Sequence, residues 1–223
     1  MCRSIFYKEF IKLRWTWMIL ALLNAALMAY VFVEIRRLFT LDHPEVVWYR
    51  ALHLGQVHFG AMKFAPTLTG IFLAFLQFLP EMREERLRLS LHLPVPPARM
   101  VLTHVLAGLA AGGVLILLDG LLLGLIFKMY YPWEGVVFAL TAALPWFMAG
   151  FTAYLGITLG LLEPNLRRRV FNLLLAAGVT GLFLLRIAPG GYTPALGPLG
   201  FAAALMIPAV LVPAYHFRLR RAS

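Results

Sequence analysis

The sequence has a single cysteine, Cys2, so neither an internal disulfide nor a cysteine-based metal cluster can form. Charge is sparse. Asp, Glu, Lys and Arg make up 13% of the 223 residues, where a soluble domain usually carries about 25%. Lysine occurs only at Lys8, Lys12, Lys63 and Lys128, and none is followed by Ser or Thr. A P-loop needs that pair behind a Gly-rich turn, so this chain cannot hydrolyse ATP by that route. The G-x-S-x-G and H-E-x-x-H patterns are also missing, which removes the nucleophile elbow and the zincin helix. No small-residue cleavage site follows a short apolar core, so no removable signal peptide is predicted.

Apolar side chains are abundant instead. They form 61% of the chain, with a mean hydropathy of +0.81. One soluble core of this size cannot hide that much apolar surface, which points to an integral membrane protein. The net charge of +10 and pI near 10.3 first suggest a nucleic-acid partner. The basic residues stand at the ends of apolar runs, however, which is the pattern of membrane orientation. The bilayer is therefore the expected partner, and nucleic acid is not.

Six runs approach the 20 or so apolar residues a helix needs to cross the hydrocarbon. They cover 15–33, 58–79, 100–127, 136–162, 170–188 and 195–215. The expected fold is all-α, one transmembrane domain over 1–223 with six spans. Runs three and four exceed one perpendicular crossing, so tilt or extension is expected there. With both termini in the cytoplasm, 14 of the 20 Lys and Arg residues fall on the inner side. That bias predicts a multi-pass protein of the cytoplasmic (inner or plasma) membrane with both ends inside.

Two segments outside the runs have helical character. In CRSIFYKEFIKLRW, Ile5, Phe6, Phe10 and Leu13 recur at helical spacing with Lys8, Glu9, Lys12 and Arg14 between them. That reads as an interfacial elbow helix feeding the first span, or equally as an extension of that span. On the outer side, LDHPEVVWYRALHLG is expected to form a short amphipathic helix. Asp42, His43, Glu45, His53 and His58 share that segment, but their spacing matches no tight ligand motif. They are read as interfacial or solvated side chains, so no metal is assigned and no cofactor is expected in this chain.

Few polar groups lie inside the spans. Asn24, Gln77 and Asp119 stand out, with His104 near the inner end of span three. They are candidates for a substrate path or for bridging helices. Asp119 lies about 15 residues, roughly 22 Å, beyond His104. An intramembrane carboxylate is a functional candidate by default; otherwise Asp119 is an interfacial residue on an overlong helix. Asn24 and Gln77 fit helix bridging better, and the run Gly108–Gly113, GLAAGG, fits close helix approach.

The densest charge lies in EMREERLRLSLHLPVPPARM, residues 81–100, placed by the arginine bias between spans two and three in the cytoplasm. Leu87, Leu89, Leu91 and Leu93 alternate with polar residues at period two, as in a strand. A lone strand would leave its edges unpaired, so a short helix is the expected form, ended by Pro94, Pro96 and Pro97. A second inner segment, EPNLRRR at 163–169, reads as an orientation signal or a smaller contact.

This segment resembles the corresponding part of ABC-2 type permeases, the membrane subunits of ABC exporters. The matching residues are the charged run Glu81 to Glu85, the leucines Leu87 to Leu93, the end Leu93-Pro94-Val95-Pro96 and the basic Arg99. Glu85-Arg86 stands where the family carries Gly-Thr. The resemblance implies a permease that pairs with a second copy or a paralogue and docks on a separate ATPase dimer, which binds the ATP and Mg. The residues it implies for coupling to that ATPase are Glu81, Arg83, Glu84, Glu85, Arg86, Leu87, Arg88, Leu91, Pro94 and Arg99. The alternatives are a six-span scaffold or assembly factor without transport, and a membrane enzyme. The lack of paired intramembrane carboxylates or a nucleophile–base set weighs against the enzyme.

Overall fold

Helix α1, Cys2–Leu41, is a single run of 40 residues without Pro or Gly. At 1.5 Å per residue it is about 60 Å long, twice the roughly 30 Å of a hydrocarbon core. The structure is a computed structural model that describes residues 2–83, 96–185, 191–213 and 215. After α1 the chain turns at His43, which is extended, and Pro44 opens helix α2, Pro44–Leu52. A proline fits there because the first helical N–H has no partner to lose. A 3₁₀ turn, Gly60–Phe64, leads into α3, Ala65–Arg83. Then follow α4, Pro97–Tyr130, and α5, Trp133–Leu162, joined by only two residues and so antiparallel. The last two helices are α6, Leu166–Phe183, and α7, Thr193–Ala209. Asn165 starts α6 by accepting from the Arg167 N–H at 3.0 Å, a cap that satisfies one of the unpaired amides of a first turn.

Among the described residues, five apolar helical stretches are long enough to cross a membrane: Ile5–Leu41, Gly60–Met82, Ala98–Tyr130, Trp133–Leu162 and Thr193–Pro213. The expected span at 170–188 falls on α6, which is not among them. Its 18 residues include Arg167, Arg168 and Arg169 in the first turn. The elbow is not a separate element, because its residues are the opening turns of α1. The short helix expected within LDHPEVVWYRALHLG is present as α2. Of the expected coupling segment, 81–99, the first residues close α3 and the last open α4, while 84–95 lie outside the described residues.

α5 is the axis of the bundle, with 61% of its apolar stretch buried against 17% for that of α7. Glycines let its neighbours close on it. A Cβ on Gly70 of α3 would strike the Gly150 carbonyl, and one on Gly150 would meet the Pro66 carbonyl at 2.7 Å. Backbones in such contact need glycine on both sides. Further along α5, Gly156 faces Ala176 of α6 and Gly160 faces Leu173.

α1 and α4 lie side by side and parallel. The Trp17 indole donates to the Ala111 carbonyl at 2.9 Å, and farther along the Trp48 indole of α2 donates to the Tyr130 carbonyl at 2.9 Å. The bundle thus has a near end, where α1 and α4 begin and α3 finishes, and a far end, where α1 and α4 finish and α5 begins. Each end has its own apolar core. The near one gathers Leu13, Phe78, Val101, Val105, Tyr154 and Leu159. The far one gathers Ile35, Val47, Phe59, Phe127, Ala139 and Trp146. Outward-facing leucines such as Leu22, Leu117 and Leu121 are left for lipid.

Candidate functional site: a buried charge cluster joining four helices

Helical spacing sets up the site. Lys8 and Lys12 lie four residues apart and Glu9 and Lys12 three apart, so all three share one stripe of α1. Gln77 and Glu81 are likewise one turn apart on α3. His104 lies on α4 and Tyr154 on α5.

Lys12 is the hub. Its ammonium donates to Glu9 Oε1 at 2.8 Å, to Glu81 Oε1 at 3.1 Å and to the Gln77 carbonyl at 3.0 Å. Lys8 Nζ also reaches Glu81 Oε1, at 3.0 Å. His104 Nδ1 lies 3.1 Å from Glu9 Oε1. A carboxylate only accepts, so that ring nitrogen carries the proton. The Gln77 amide fixes the remaining geometry. Its Nε2 donates to Glu9 Oε2 at 2.9 Å and to the His104 carbonyl at 2.8 Å. Its Oε1 accepts from the Tyr154 hydroxyl at 2.8 Å.

These groups are deep inside: Glu9 is 1% exposed, Gln77 0%, Glu81 2% and His104 3%. Two carboxylates face two ammoniums, so the set balances without a charge on His104. Removing one partner from such a set leaves an uncompensated buried charge. Gly108 makes room for the cluster, because a Cβ there would strike the Tyr154 hydroxyl and the Gln77 side-chain oxygen. Glu81 Oε2 is buried without a hydrogen-bond partner. Chemically the cluster is a clamp of charge-assisted bonds.

Of the residues singled out from sequence, Gln77 and Glu81 lie in this cluster, and His104 joins them. Gln77 bridges helices as expected. Glu81 faces inward onto Lys8 and Lys12. Arg99 is exposed on the first turns of α4. Arg83 closes α3, while Glu84, Glu85, Arg86, Leu87, Arg88, Leu91 and Pro94 lie outside the described residues. Asn24 also bridges, accepting at Oδ1 from the Thr69 hydroxyl at 3.2 Å, and its Nδ2 is buried without a partner. Asp119 is 3% exposed in the middle of α4 and stands apart from the charge cluster.

Glu9 and Lys12 were legible only as the polar face of an amphipathic segment. The available signal was the pairing of Lys8, Glu9 and Lys12 at the start of one span with Glu81 at the finish of the next. Tyr154 carried no signal beyond its position in an apolar run.

At the far end, Arg50 pairs with Asp42 at 2.6 Å, and His58 Nδ1 meets the Tyr131 hydroxyl at 3.0 Å. His58 lies just ahead of the apolar stretch that begins at Gly60. Burial, and secondarily the Arg50 charge, hold its imidazole below the ordinary value of 6.5. Burial pushes the Tyr131 phenol up. The two groups share that bond with the imidazole held toward its neutral form, and the ring tautomer sets which of them donates.

Comparison with family models, curated proteins and solved structures gave no match to this chain.

Proposed function

We propose that this chain is the permease subunit of an ATP-driven exporter of the ABC-2 type. In this reading α6 is a sixth crossing, both termini lie in the cytoplasm, and the segment 81–99 is the part that couples to the ATPase. The chain works with a second copy or a paralogue and with a separate ATPase dimer that binds ATP and Mg. It is not itself an enzyme.

The observation that supports this reading is where the charge cluster lies. It sits at the end of the bundle where α3 leads into residues 84–95 and α4 leads out of them. A force applied to that connection meets α1, α3, α4 and α5 already tied by Lys12, Glu9, Gln77, Glu81 and Tyr154. Work delivered there would move these helices together, as rigid-body switching requires.

The test is co-purification of the tagged chain from its native membrane, followed by ATP turnover of the complex in vesicles. An ATPase subunit should come with it. Leu87→Ala, Arg88→Ala and Leu91→Ala should each lower ATP turnover while the chain stays in the membrane. A stable complex free of any ATPase would favour the scaffold reading. Unchanged turnover in all three variants would remove the coupling assignment.

A further inference from the structure

A groove of about 490 Å³ runs between α1 and α4 beside the charge cluster. Phe10, Leu13 and Trp17 wall it on α1, opposite Ala107, Ala110 and Ala111 on α4. The small residues of α4 leave the space and the large ones of α1 make it apolar. Glu9 and Arg14 supply its charged edges.

Those two charges differ in availability. Both oxygens of Glu9 are engaged, Oε1 by Lys12 and His104 and Oε2 by Gln77. Arg14 is exposed and, among the described residues, pairs with no carboxylate. Its guanidinium lies over the Trp15 ring at 5.5 Å. Side chains on a helix lean toward its amino end. α1 begins at the near end, so Arg14 leans toward that water interface and can hold its head in it.

We propose that this groove binds an anionic phospholipid of the leaflet at the near end, one acyl chain lying between α1 and α4 and the phosphate held by Arg14, which edges the groove. Charge decides the headgroup: the unpaired charge lining the groove is the Arg14 cation, and the one carboxylate there, Glu9, is taken. Size decides the rest. One turn of helix about 10 Å across and 5.4 Å long already fills roughly 400 Å³. A partner helix would enter it only with the side chains of one face, whereas a flexible acyl chain can fill it. The volume also falls within the about 300–1,000 Å³ of sites that hold one small molecule. This site is independent of the exporter reading.

The test uses the full chain in detergent, titrated with phosphatidylglycerol or phosphatidylcholine and read by native mass spectrometry and thermal unfolding. The wild type should retain phosphatidylglycerol preferentially and unfold at higher temperature with it. Arg14→Gln should weaken phosphatidylglycerol binding about tenfold and leave phosphatidylcholine unchanged. Ala110→Phe should fill the groove and abolish retention of both lipids. Leu174→Phe, at an exposed position of α6 away from the groove, should behave as wild type and so report on folding. The proposal is overturned if the wild type shows no preference for phosphatidylglycerol, or if both groove variants hold it unchanged. It also fails if Ala110→Phe alters the oligomeric state while lipid retention persists, which would make the groove a contact between copies.

Discussion

The two ends of the bundle are held by different physics. At the near end, α1, α3, α4 and α5 meet through Glu9, Lys12, Gln77, Glu81, His104 and Tyr154, in bonds of 2.8 to 3.1 Å. At the far end, the contacts are rings. Phe59 meets Phe127 edge-on at 5.3 Å and Trp146 at 5.5 Å, while Phe39 meets Tyr131 edge-on at 5.1 Å. Rings contribute area and shape and tolerate small shifts. Buried charges contribute direction, and they tolerate almost nothing once a partner is gone. The near end should therefore fail by loss of a partner, and the far end by loss of volume.

Lys12→Met should produce the largest effect. It strips the shared cation from two buried carboxylates, an expected loss of about 3–5 kcal/mol, seen as a lower unfolding temperature in detergent. Adding Glu81→Gln should recover part of that loss, because the two residues are coupled. Strict additivity would erase the contrast between the ends. Phe59→Ala should cost about 3–5 kcal/mol through lost transfer energy and a cavity. Here a second truncation, Phe127→Ala, should add to the damage and rescue nothing. Gly150→Ala lies between the two regions, where the new methyl meets the Pro66 carbonyl; about 1–3 kcal/mol is expected. That loss should appear without changing the response of either end to its own substitutions.

Two smaller effects sharpen the far end. His58 has a folded pKa below its ordinary 6.5, so the unfolded chain takes the proton first. Stability should be full above about 6.5 and fall as the pH drops through that value toward the folded one. His58→Gln should flatten that part of the profile, and an unchanged slope would refute the assignment. Asp42→Asn should matter least. The Asp42–Arg50 pair is 38% and 41% exposed at its side chains, so less than about 1 kcal/mol is expected from parallel melts.

The apolar runs made the helices readable, because a membrane span is a local property of composition. Asn24 and Gln77 were readable as bridges for a similar reason: a polar group in a span needs a partner on another helix. α6 was harder, since Arg167, Arg168 and Arg169 count as orientation signals and also shorten the apolar stretch. The charge cluster was hardest. Lys12 and Glu81 are 69 residues apart, and no periodicity links positions on different helices. Glu81 read as the first residue of a surface patch because its neighbours in sequence are charged. Only the crossing of α1 and α3 turns it inward.

α1 belongs to both regions. It carries Lys12 at one end and Phe39 at the other, and has no Pro or Gly at which to hinge. Mechanically it is a stiff beam pinned by ions at its base and cushioned by rings at its tip. Such a beam neither shortens nor folds; it pivots. A pivot of about 5° about Lys12 would carry Phe39, about 40 Å away along the helix, sideways by roughly 3–4 Å. A small rocking at the charged base would thus be felt most where Phe39 rests on Tyr130 and Tyr131.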